Sequence, residues 1–192
     1  LERLLGYFYT LNKADGKPLI IFTPNPEIVV YAQKDEKFKE IVNTAQINIP
    51  DGVGLILAGR VLGQPLKERI QGVDLMESLI KLAAKKSLTV GLIGGGEGVA
   101  LKVLECLQKK YPGLSGWAEE GLAFCLPPKA GPGHSRKDWI SDQVGDDIIK
   151  KTQETKTSFL FVGLGAPKQE YFISAIYSKL SAISHPLVLM AV

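Results

Sequence analysis

The chain has 192 residues, of which 45% are hydrophobic and 22% are charged, and its formal net charge is +3. These values are ordinary for a soluble globular protein and allow one domain with a substantial core. The positive charge is too small, and the Lys and Arg residues are too dispersed, for a nucleic-acid-binding protein. No apolar run reaches the roughly 18 residues that a membrane span requires.

Cysteine and histidine are scarce, and they are limited to Cys106, Cys125, His134 and His185. Their spacing matches no metal-ligand or redox motif, so we expect no bound metal and no redox cofactor. Two cysteines in this length fit a reducing cytosol better than a disulfide scaffold. We expect Cys106 and Met76 to lie on apolar helix faces in the core, and His134 to be solvated.

Apolar runs and helical periodicity alternate along the chain, with Gly and Pro between them. The predicted strands are at 18–23, 46–49, 88–93, 114–118, 157–162 and 186–192. The predicted helices are at 26–34, 37–43, 53–62, 72–86, 99–111, 139–152 and 168–180, after the end of a helix at 1–11. A Pro- and Gly-rich stretch at 119–137 is predicted to form a long surface loop. The alternation predicts an α/β fold, with a mostly parallel sheet and helices on both of its faces, in a single domain.

Four of the predicted strands end in unusual residues. The four ends are Thr23-Pro24-Asn25, Pro50-Asp51-Gly52, Gly94 to Gly98, and Gly163 to Gln169. In open α/β sheets, ligands bind beyond the carboxyl ends of the strands. We therefore expect the functional site at the edge where these four segments meet.

The glycine stretch after Ile93 has two interpretations. Gly94, Gly95 and Gly96 could let the backbone approach a nucleotide phosphate at the start of the next helix, or they could simply form a tight turn. The spacing is neither that of the dinucleotide fingerprint nor that of a P-loop.

Other polar residues near the strand ends also have two interpretations each. Asp51 could be a general base in a cleft, or the N-cap of the next helix. Arg69 could hold a phosphate, or lie on the surface. Thr23 and Asn25 could cap the helix that follows them, or hydrogen-bond a sugar or amide group. Gln169, in the first turn of a helix, could meet an anionic ligand, or be exposed.

Six motifs follow one another in a specific order. They are TPNPE at 23–27, PDGVG at 50–54, Arg69 with GVDLM at 72–76, LIGG at 92–95, YPG at 111–113 and FVGLGAPKQE at 161–170. In this order they resemble the TagA/WecG/CpsF family of bacterial glycosyltransferases, over roughly residues 18–118 and 157–192. The Pro-Asp-Gly turn and the string that ends in Lys-Gln-Glu are the most specific parts.

The resemblance implies a Rossmann-like fold and an inverting, metal-independent sugar transfer without a cofactor. The donor would be UDP-N-acetylmannosamine, and the acceptor N-acetylglucosamine linked to undecaprenyl diphosphate, in the synthesis of wall teichoic acid or a related surface polysaccharide. The sequence has no Asp-x-Asp motif that would hold a divalent cation, which agrees with this expectation.

The resemblance also implies roles for individual residues. Asp51 would be the base that takes the proton of the acceptor's 4-hydroxyl. Arg69 and the backbone N–H groups around Gly94, Gly95 and Gly96 would stabilise the leaving UDP. Contacts with substrate would come from Thr23, Asn25 and Gln169, with the prolines around Asn25 stiffening the turn so that the side chains of Thr23 and Asn25 face the cleft.

Three further expectations follow from the resemblance. The protein would be cytoplasmic and peripheral at the inner face of the bacterial membrane, because its acceptor carries a polyprenyl tail. The chain would lack part of the family's N-terminal region and its basic C-terminal segment, which is thought to close over the site. A homo-oligomer is compatible with apolar surface left uncovered.

Two alternative functions belong to other classes, and a third keeps the reaction and changes the donor sugar. An NAD-dependent oxidoreductase is disfavoured by the broken dinucleotide fingerprint. A non-catalytic module that binds nucleotide sugars is disfavoured by the presence of Asp51. A glycosyltransferase of the same family with another donor sugar stays open, because donor choice depends on a few side chains of the pocket.

Overall fold

Six parallel strands form the sheet in this computed structural model, which describes residues 17–66, 70–120, 142–180 and 183–192. The strands are β1 (Leu19–Phe22), β2 (Ile47–Asn48), β3 (Thr89–Gly94), β4 (Ser115–Glu120), β5 (Thr157–Gly163) and β6 (Val188–Ala191). Their order across the sheet is β2-β1-β6-β5-β3-β4, and each neighbouring pair is parallel. The predicted parallel α/β sheet is therefore confirmed.

Seven helices connect these strands within the described residues. They are α1 (Pro26–Lys34), α2 (Glu36–Thr44), α3 (Val53–Val61), α4 (Gly72–Lys86), α5 (Val99–Lys110), α6 (Asp142–Glu154) and α7 (Lys168–Leu180). The predicted bounds of α1, α4 and α7 are confirmed to the residue. None of the helices that the structure describes is long and apolar enough to cross a lipid bilayer.

Local signals explain why several helices begin and end where they do. Asn25 caps α1, since its Oδ1 accepts a hydrogen bond from the Ile28 N–H at 2.9 Å, and Pro26 follows at the first helical position. Asp35 caps α2 in the same way through the Phe38 N–H, at 3.1 Å. The left-handed conformation of Ser87 ends α4. These caps satisfy backbone groups that a helix end leaves unpaired.

The sheet separates two hydrophobic layers, because side chains alternate between its faces along each strand. Ile20 of β1 packs in one layer with residues of α1, α2, α6 and α7, among them Phe172. Ile21 packs in the other layer with residues of α4 and α5, among them Leu79. Burying one such side chain stabilises the fold by about 1.5–3 kcal/mol. None of the described residues of α3 belongs to either layer.

Two predictions about the middle of the chain need correction. Cys106 is exposed rather than in the core. The buried face of α5 is set by Ala100 and Leu104, and Cys106, two residues further on, lies about 200° around the helix from Leu104. Residues 119 and 120 are the last two of β4 and not the start of a loop, because β4 pairs with β3 along its whole length.

Several predictions concern residues outside the described part of the chain. They are the helix end at 1–11, the loop at 121–137, the start of the helix predicted at 139, and the surroundings of Arg69, Cys125 and His134. Met76, by contrast, is partly buried and packs against the layer that contains α4 and α5.

Candidate active site

The carboxyl ends of the central strands are joined by hydrogen bonds into one edge. Thr23, directly after β1, is buried, and its hydroxyl donates to the Ala191 carbonyl of β6 at 3.4 Å. Val192 N–H donates to the Val162 carbonyl of β5 at 3.0 Å, and Gly95 N–H to the Gly163 carbonyl at 3.1 Å. The segments that the sequence predicts to meet therefore do meet along this edge.

Asp51 is fixed to this edge by its backbone. Its N–H donates to the Pro24 carbonyl at 2.8 Å, which continues the pairing of β2 with β1 through Ile49 and Phe22. Its carboxylate is half-buried, and Oδ2 lies 3.5 Å from the Gly72 N–H at the start of α4. Oδ1 has no hydrogen-bond donor among the described residues. Oδ1 could therefore accept a proton from a bound ligand.

The structure does not support the interpretation of Asp51 as a helix cap. Gly52 occupies the N-cap position of α3, with a φ of 100°, and no side chain accepts a hydrogen bond there. A φ in this range is open to glycine and strained for other residues. The Pro-Asp-Gly turn therefore directs the Asp51 side chain toward α4 instead of the helix that follows it.

Gly72 allows three elements to approach each other. A Cβ at this position would lie 3.1 Å from both Oγ1 and Cγ2 of Thr23. Because Gly72 has no side chain, the first turn of α4 packs directly on Thr23 and places its N–H against Asp51. Thr23, Asp51 and Gly72 therefore form one cluster at the ends of β1 and β2.

The glycine loop after β3 makes a close approach to β5. A Cβ on Gly94 would lie 2.1 Å from the Gly163 carbonyl oxygen, and the φ of Gly94 is 125°. Two of the loop's N–H groups are already used: Gly95 donates to Gly163, and Gly98 donates to the Glu120 carboxylate at 2.8 Å. The N–H groups of Gly96 and Glu97 have no acceptor among the described residues. A phosphate at this loop could therefore be bound by these two N–H groups, and not by the whole loop as expected.

An apolar cavity of about 220 Å³ lies beside this loop, between α4 and α5. Its walls include the apolar side chains of Met76, Val99, Phe161 and Val192. Binding pockets for small molecules are typically lined by such apolar side chains, with few polar groups to orient the ligand.

The cavity and Asp51 are neighbours. Met76 lies one turn of α4 after Gly72, a rise of about 6 Å, and Gly72 is the residue that contacts Asp51. On the other side, the Thr23 hydroxyl donates a hydrogen bond to the Ala191 carbonyl, and the next residue, Val192, lines the cavity. The first turn of α4 and the end of β6 therefore connect the cavity wall to the cluster that contains Asp51.

Gln169 is buried, with only 4% of its surface exposed, so the interpretation as an exposed helix residue is wrong. Its Oε1 accepts a hydrogen bond from the Gly165 N–H at 3.1 Å, and its Nε2 donates to Glu170 Oε1 at 3.1 Å. Gln169 therefore holds the turn after β5, and its amide is already paired within the protein.

Glu170 is a buried acid that the sequence analysis left without a role. It is 1% exposed, and its Oε2 has no hydrogen-bond partner among the described residues. Burial raises the pKa of Glu170 above its ordinary value. The sequence signal that could have identified Glu170 is its place beside Gln169 in the Lys-Gln-Glu motif. Glu120 is another acid without a predicted role, and the folded loop brings it to Gly98.

Asn25 makes the capping contact and Arg69 lies outside the described residues, so a substrate contact of either residue stays a prediction. Among the described residues, no group of three His, Cys, Asp or Glu side chains is placed to hold a metal ion.

Comparison with known proteins identifies the family. The model of the glycosyl transferase WecG/TagA/CpsF family matches residues 2–190. The chain belongs to the WecG/TagA/CpsF family. The resemblance inferred from the six sequence motifs is therefore confirmed.

Members of the WecG/TagA/CpsF family with a curated name include proteins from three Staphylococcus aureus strains: MRSA252, NCTC 8325 / PS 47 and N315. Each is named N-acetylglucosaminyldiphosphoundecaprenol N-acetyl-beta-D-mannosaminyltransferase, and each is 32% identical to the chain over 155 residues. The match covers 81% of the chain and 54% of each relative, so the chain spans about half the length of these relatives.

Proposed function

We propose that the chain forms the donor-binding and catalytic part of an inverting glycosyltransferase. It transfers N-acetylmannosamine, or a related sugar, from a UDP donor to N-acetylglucosamine linked to undecaprenyl diphosphate. The relatives' names support the transferred sugar and the lipid-linked acceptor. The product would serve the synthesis of wall teichoic acid or another surface polysaccharide.

One observation carries this proposal: at the carboxyl edge of a parallel sheet, the half-buried Asp51 carboxylate contacts the first residue of α4, and Met76, one helical turn further along α4, lines an apolar cavity. In this proposal the uracil ring of the donor occupies the cavity between Met76 and Val192. The diphosphate would meet the Gly96 and Glu97 N–H groups, in the loop whose first residues, Gly94 and Gly95, line the cavity. The Glu120 carboxylate at Gly98 keeps anionic groups away from that end of the loop. The anomeric carbon would then lie between the loop and Asp51.

The proposed chemistry is a single displacement. Asp51 takes the proton of the acceptor's 4-hydroxyl while that oxygen attacks the anomeric carbon from the side opposite UDP. The bond between this carbon and the UDP oxygen breaks, and the electron pair leaves with UDP. One displacement inverts the anomeric centre, and the proton ends on Asp51. We propose that the leaving charge is stabilised without a metal, by Arg69 and the loop N–H groups.

Thr23 and Gly72 have positioning roles in this proposal. Thr23 lies between the β6 end and the first turn of α4, and the Gly72 N–H lies against Asp51 Oδ2. A carboxylate held by one oxygen presents the other in a constant direction. Gln169 fixes the turn whose Gly163 carbonyl holds the glycine loop.

The test is a turnover assay on the protein at its natural length, with UDP-N-acetylmannosamine and a lipid-diphosphate N-acetylglucosamine acceptor. We expect Asp51→Asn to reduce kcat by about 10²–10⁴-fold, the usual contribution of a general base, with unchanged affinity for UDP. Asp147→Asn, an exposed change on α6, is the matched control and should keep full activity.

The outcomes of this assay separate the alternatives. A wild-type protein that binds UDP but releases none from this donor would point to another donor sugar or to a binding module. A protein that fails to bind UDP would contradict the proposal. Full activity of Asp51→Asn would remove Asp51 from the mechanism while leaving the reaction in place.

A further inference from the structure

Strands β3 and β5 are neighbours in the sheet, and the helices that follow them lie on opposite faces of it. The chain leaves β3 toward α5, whose Leu104 packs in the layer that contains Leu79. It leaves β5 toward α7, whose Phe172 packs in the other layer. The loops after the two strands therefore diverge beyond the hydrogen bond between Gly95 and Gly163. Such a reversal is the place where open α/β sheets bind their ligands.

Glu120 lies beside this place, at the end of the strand on the other side of β3. It is the last residue of β4, and its partner in the sheet is Gly94. Its Oε1 accepts a hydrogen bond from the Gly98 N–H at 2.8 Å, so the side chain is held against the loop between β3 and α5. Its other oxygen, Oε2, has no hydrogen-bond donor among the described residues. The carboxylate therefore has a fixed position and can accept further hydrogen bonds.

The surface around the Glu120 carboxylate is open. A Cβ on Gly96 or Gly98 would meet no atom of the described residues within 4 Å, apart from its chain neighbours. The neighbouring acid, Glu119, points to the opposite face of β4, where its carboxylate pairs with Lys151 of α6. Of these two acids, Glu120 is thus the one that a ligand at the glycine loop would meet.

A carboxylate in this position favours hydroxyl groups over phosphates. It repels an anionic diphosphate and accepts hydrogen bonds from O–H donors. In the proposed function the diphosphate meets the N–H groups of Gly96 and Glu97, directly before Gly98. The group at Glu120 would therefore carry hydroxyls and be joined to the diphosphate. A UDP-sugar has two such groups, the ribose on one side of the diphosphate and the transferred sugar on the other.

The distance across the sheet decides between these two groups. The transferred sugar has to reach Asp51, whose N–H donates to the Pro24 carbonyl just after β1. Four strand spacings separate β1 from β4, about 19 Å. A single sugar ring is much smaller than this distance, so a sugar placed for reaction at Asp51 leaves Glu120 to the ribose. Dinucleotide-binding folds use the same arrangement, with an acidic residue beyond a glycine loop bound to a ribose hydroxyl.

We propose that Glu120 recognises the ribose of the UDP donor. Its Oε2 accepts hydrogen bonds from the 2′- and 3′-hydroxyls, while the Gly98 N–H holds Oε1. This inference rests on the proposed function, since that function supplies the uridine nucleotide. It makes Glu120 the residue by which the protein distinguishes a ribonucleotide donor from a deoxyribonucleotide.

The experiment compares UDP with 2′,3′-dideoxy-UDP, which lacks both hydroxyls, in calorimetric titrations of the protein at its natural length. We expect the wild type to bind the dideoxy nucleotide about tenfold more weakly, because it loses hydrogen bonds to a charged group that water replaces only in part. In Glu120→Ala this difference should fall below about twofold, because no carboxylate remains to accept from the hydroxyls. Glu119→Ala, the matched control on the opposite face of β4, should keep the wild-type difference.

Two further readouts separate ribose recognition from a purely structural contact with the loop. Glu120→Gln keeps an oxygen for the Gly98 N–H, so it should unfold like the wild type and still lose most of the preference for UDP. In the turnover assay, Glu120→Ala should raise the KM for the donor with little change in kcat, because the ribose contact is the same before and during the displacement. A purely structural role would weaken both nucleotides equally and leave the preference for UDP unchanged.

Equal binding of the two nucleotides by the wild type would overturn the inference. This comparison needs no substitution, so it holds even if a variant fails to fold. A preference for UDP that persists in Glu120→Ala would also overturn it, since another group would then recognise the ribose.

The failure of this inference and the failure of the proposed function give different results. Sugar transfer by a wild type that binds both nucleotides equally would overturn the ribose contact and leave the enzyme function in place. A preference for UDP that depends on Glu120, in a protein that transfers no sugar to the acceptor, would support the ribose contact and contradict the function.

Discussion

At the scale of single residues, the buried acid Glu170, which has no role in the proposed reaction, should make the stability of the fold depend on pH. Its carboxyl group is buried and holds Gln169, which in turn holds the turn after β5. Because burial raises its pKa, folded protein keeps the Glu170 proton at pH values where the unfolded chain has lost it. Unfolding then releases a proton, so this group makes stability fall as the pH rises through that window.

We expect Glu170→Gln to remove this dependence, because a glutamine cannot ionise and still accepts the hydrogen bond from Gln169. The difference in unfolding temperature, variant minus wild type, should increase as the pH rises above the range in which a glutamate in the unfolded chain titrates. Each kcal/mol gained in the free energy of unfolding raises the unfolding temperature by about 2–4 °C in a protein of this size. Glu105→Gln, an exposed change on α5, should show no such trend. A flat difference for Glu170→Gln would mean that its proton is not retained on folding.

The residues of the site differ in how far the sequence could predict them. Asp51 and Thr23 could be found because each follows a strand and its neighbours are local turn residues. The cluster that they form with Gly72 depends on the distance between β1 and the start of α4, which only the folded chain sets. Gln169 was recognised as important, but its burial follows from the packing of α7 against the sheet and not from its own neighbours.

At the scale of elements, the stability of helix α1 can distinguish a capping role of Asn25 from a role in substrate binding. Its side chain caps the helix, and replacing such a cap by alanine typically costs about 1 kcal/mol. We expect Asn25→Ala to lose about this much stability and Asn25→Asp to retain it, since aspartate caps equally well. Chemical denaturation measures both values, and the turnover assay is run on the same proteins.

The activities of these two variants separate a structural role from a binding role. If Asn25 only caps α1, Asn25→Asp should keep normal activity. If Asn25 also contacts substrate, activity should fall in Asn25→Asp despite normal stability. Equal stability of the alanine variant and the wild type would contradict the capping contact itself.

The helices show that local sequence signals predict where an element begins and ends, whereas which face is buried depends on distant parts of the chain. The bounds of α1 and α4 were predicted to the residue, because Pro26, Asn25 and the change of periodicity near Ser87 act within one turn. Cys106 was misplaced because apolar residues flank it on α5, while the sheet selects only the face of Ala100 and Leu104. The absence of α3 from both hydrophobic layers could not be predicted either, since its composition is that of a core helix.

At the scale of the whole molecule, the nucleotide should stabilise the fold that holds it. The proposed UDP site spans β3, β5, β6, α4 and α5, so binding should link elements that are far apart in the chain. UDP at about 100 times its Kd should stabilise the folded state by about 2.7 kcal/mol, which is about 5–11 °C in unfolding temperature. Thermal unfolding with UDP, and with NAD as the control, measures this. A shift with NAD and none with UDP would favour the oxidoreductase alternative.

The order of the strands has a consequence for how the molecule is made. Among the six described strands β6 comes last in the sequence, yet it lies between β1 and β5, and the other neighbour of β1 is β2. Before β6 leaves the ribosome, the described strands that precede it can therefore form only two separate pieces of sheet, β2-β1 and β5-β3-β4, with apolar edges. Such pairings between distant segments form slowly and leave nascent chains prone to aggregation. Thr23 gains its partner Ala191 only when β6 joins the sheet, so this end of the cleft cannot form before β6 has emerged.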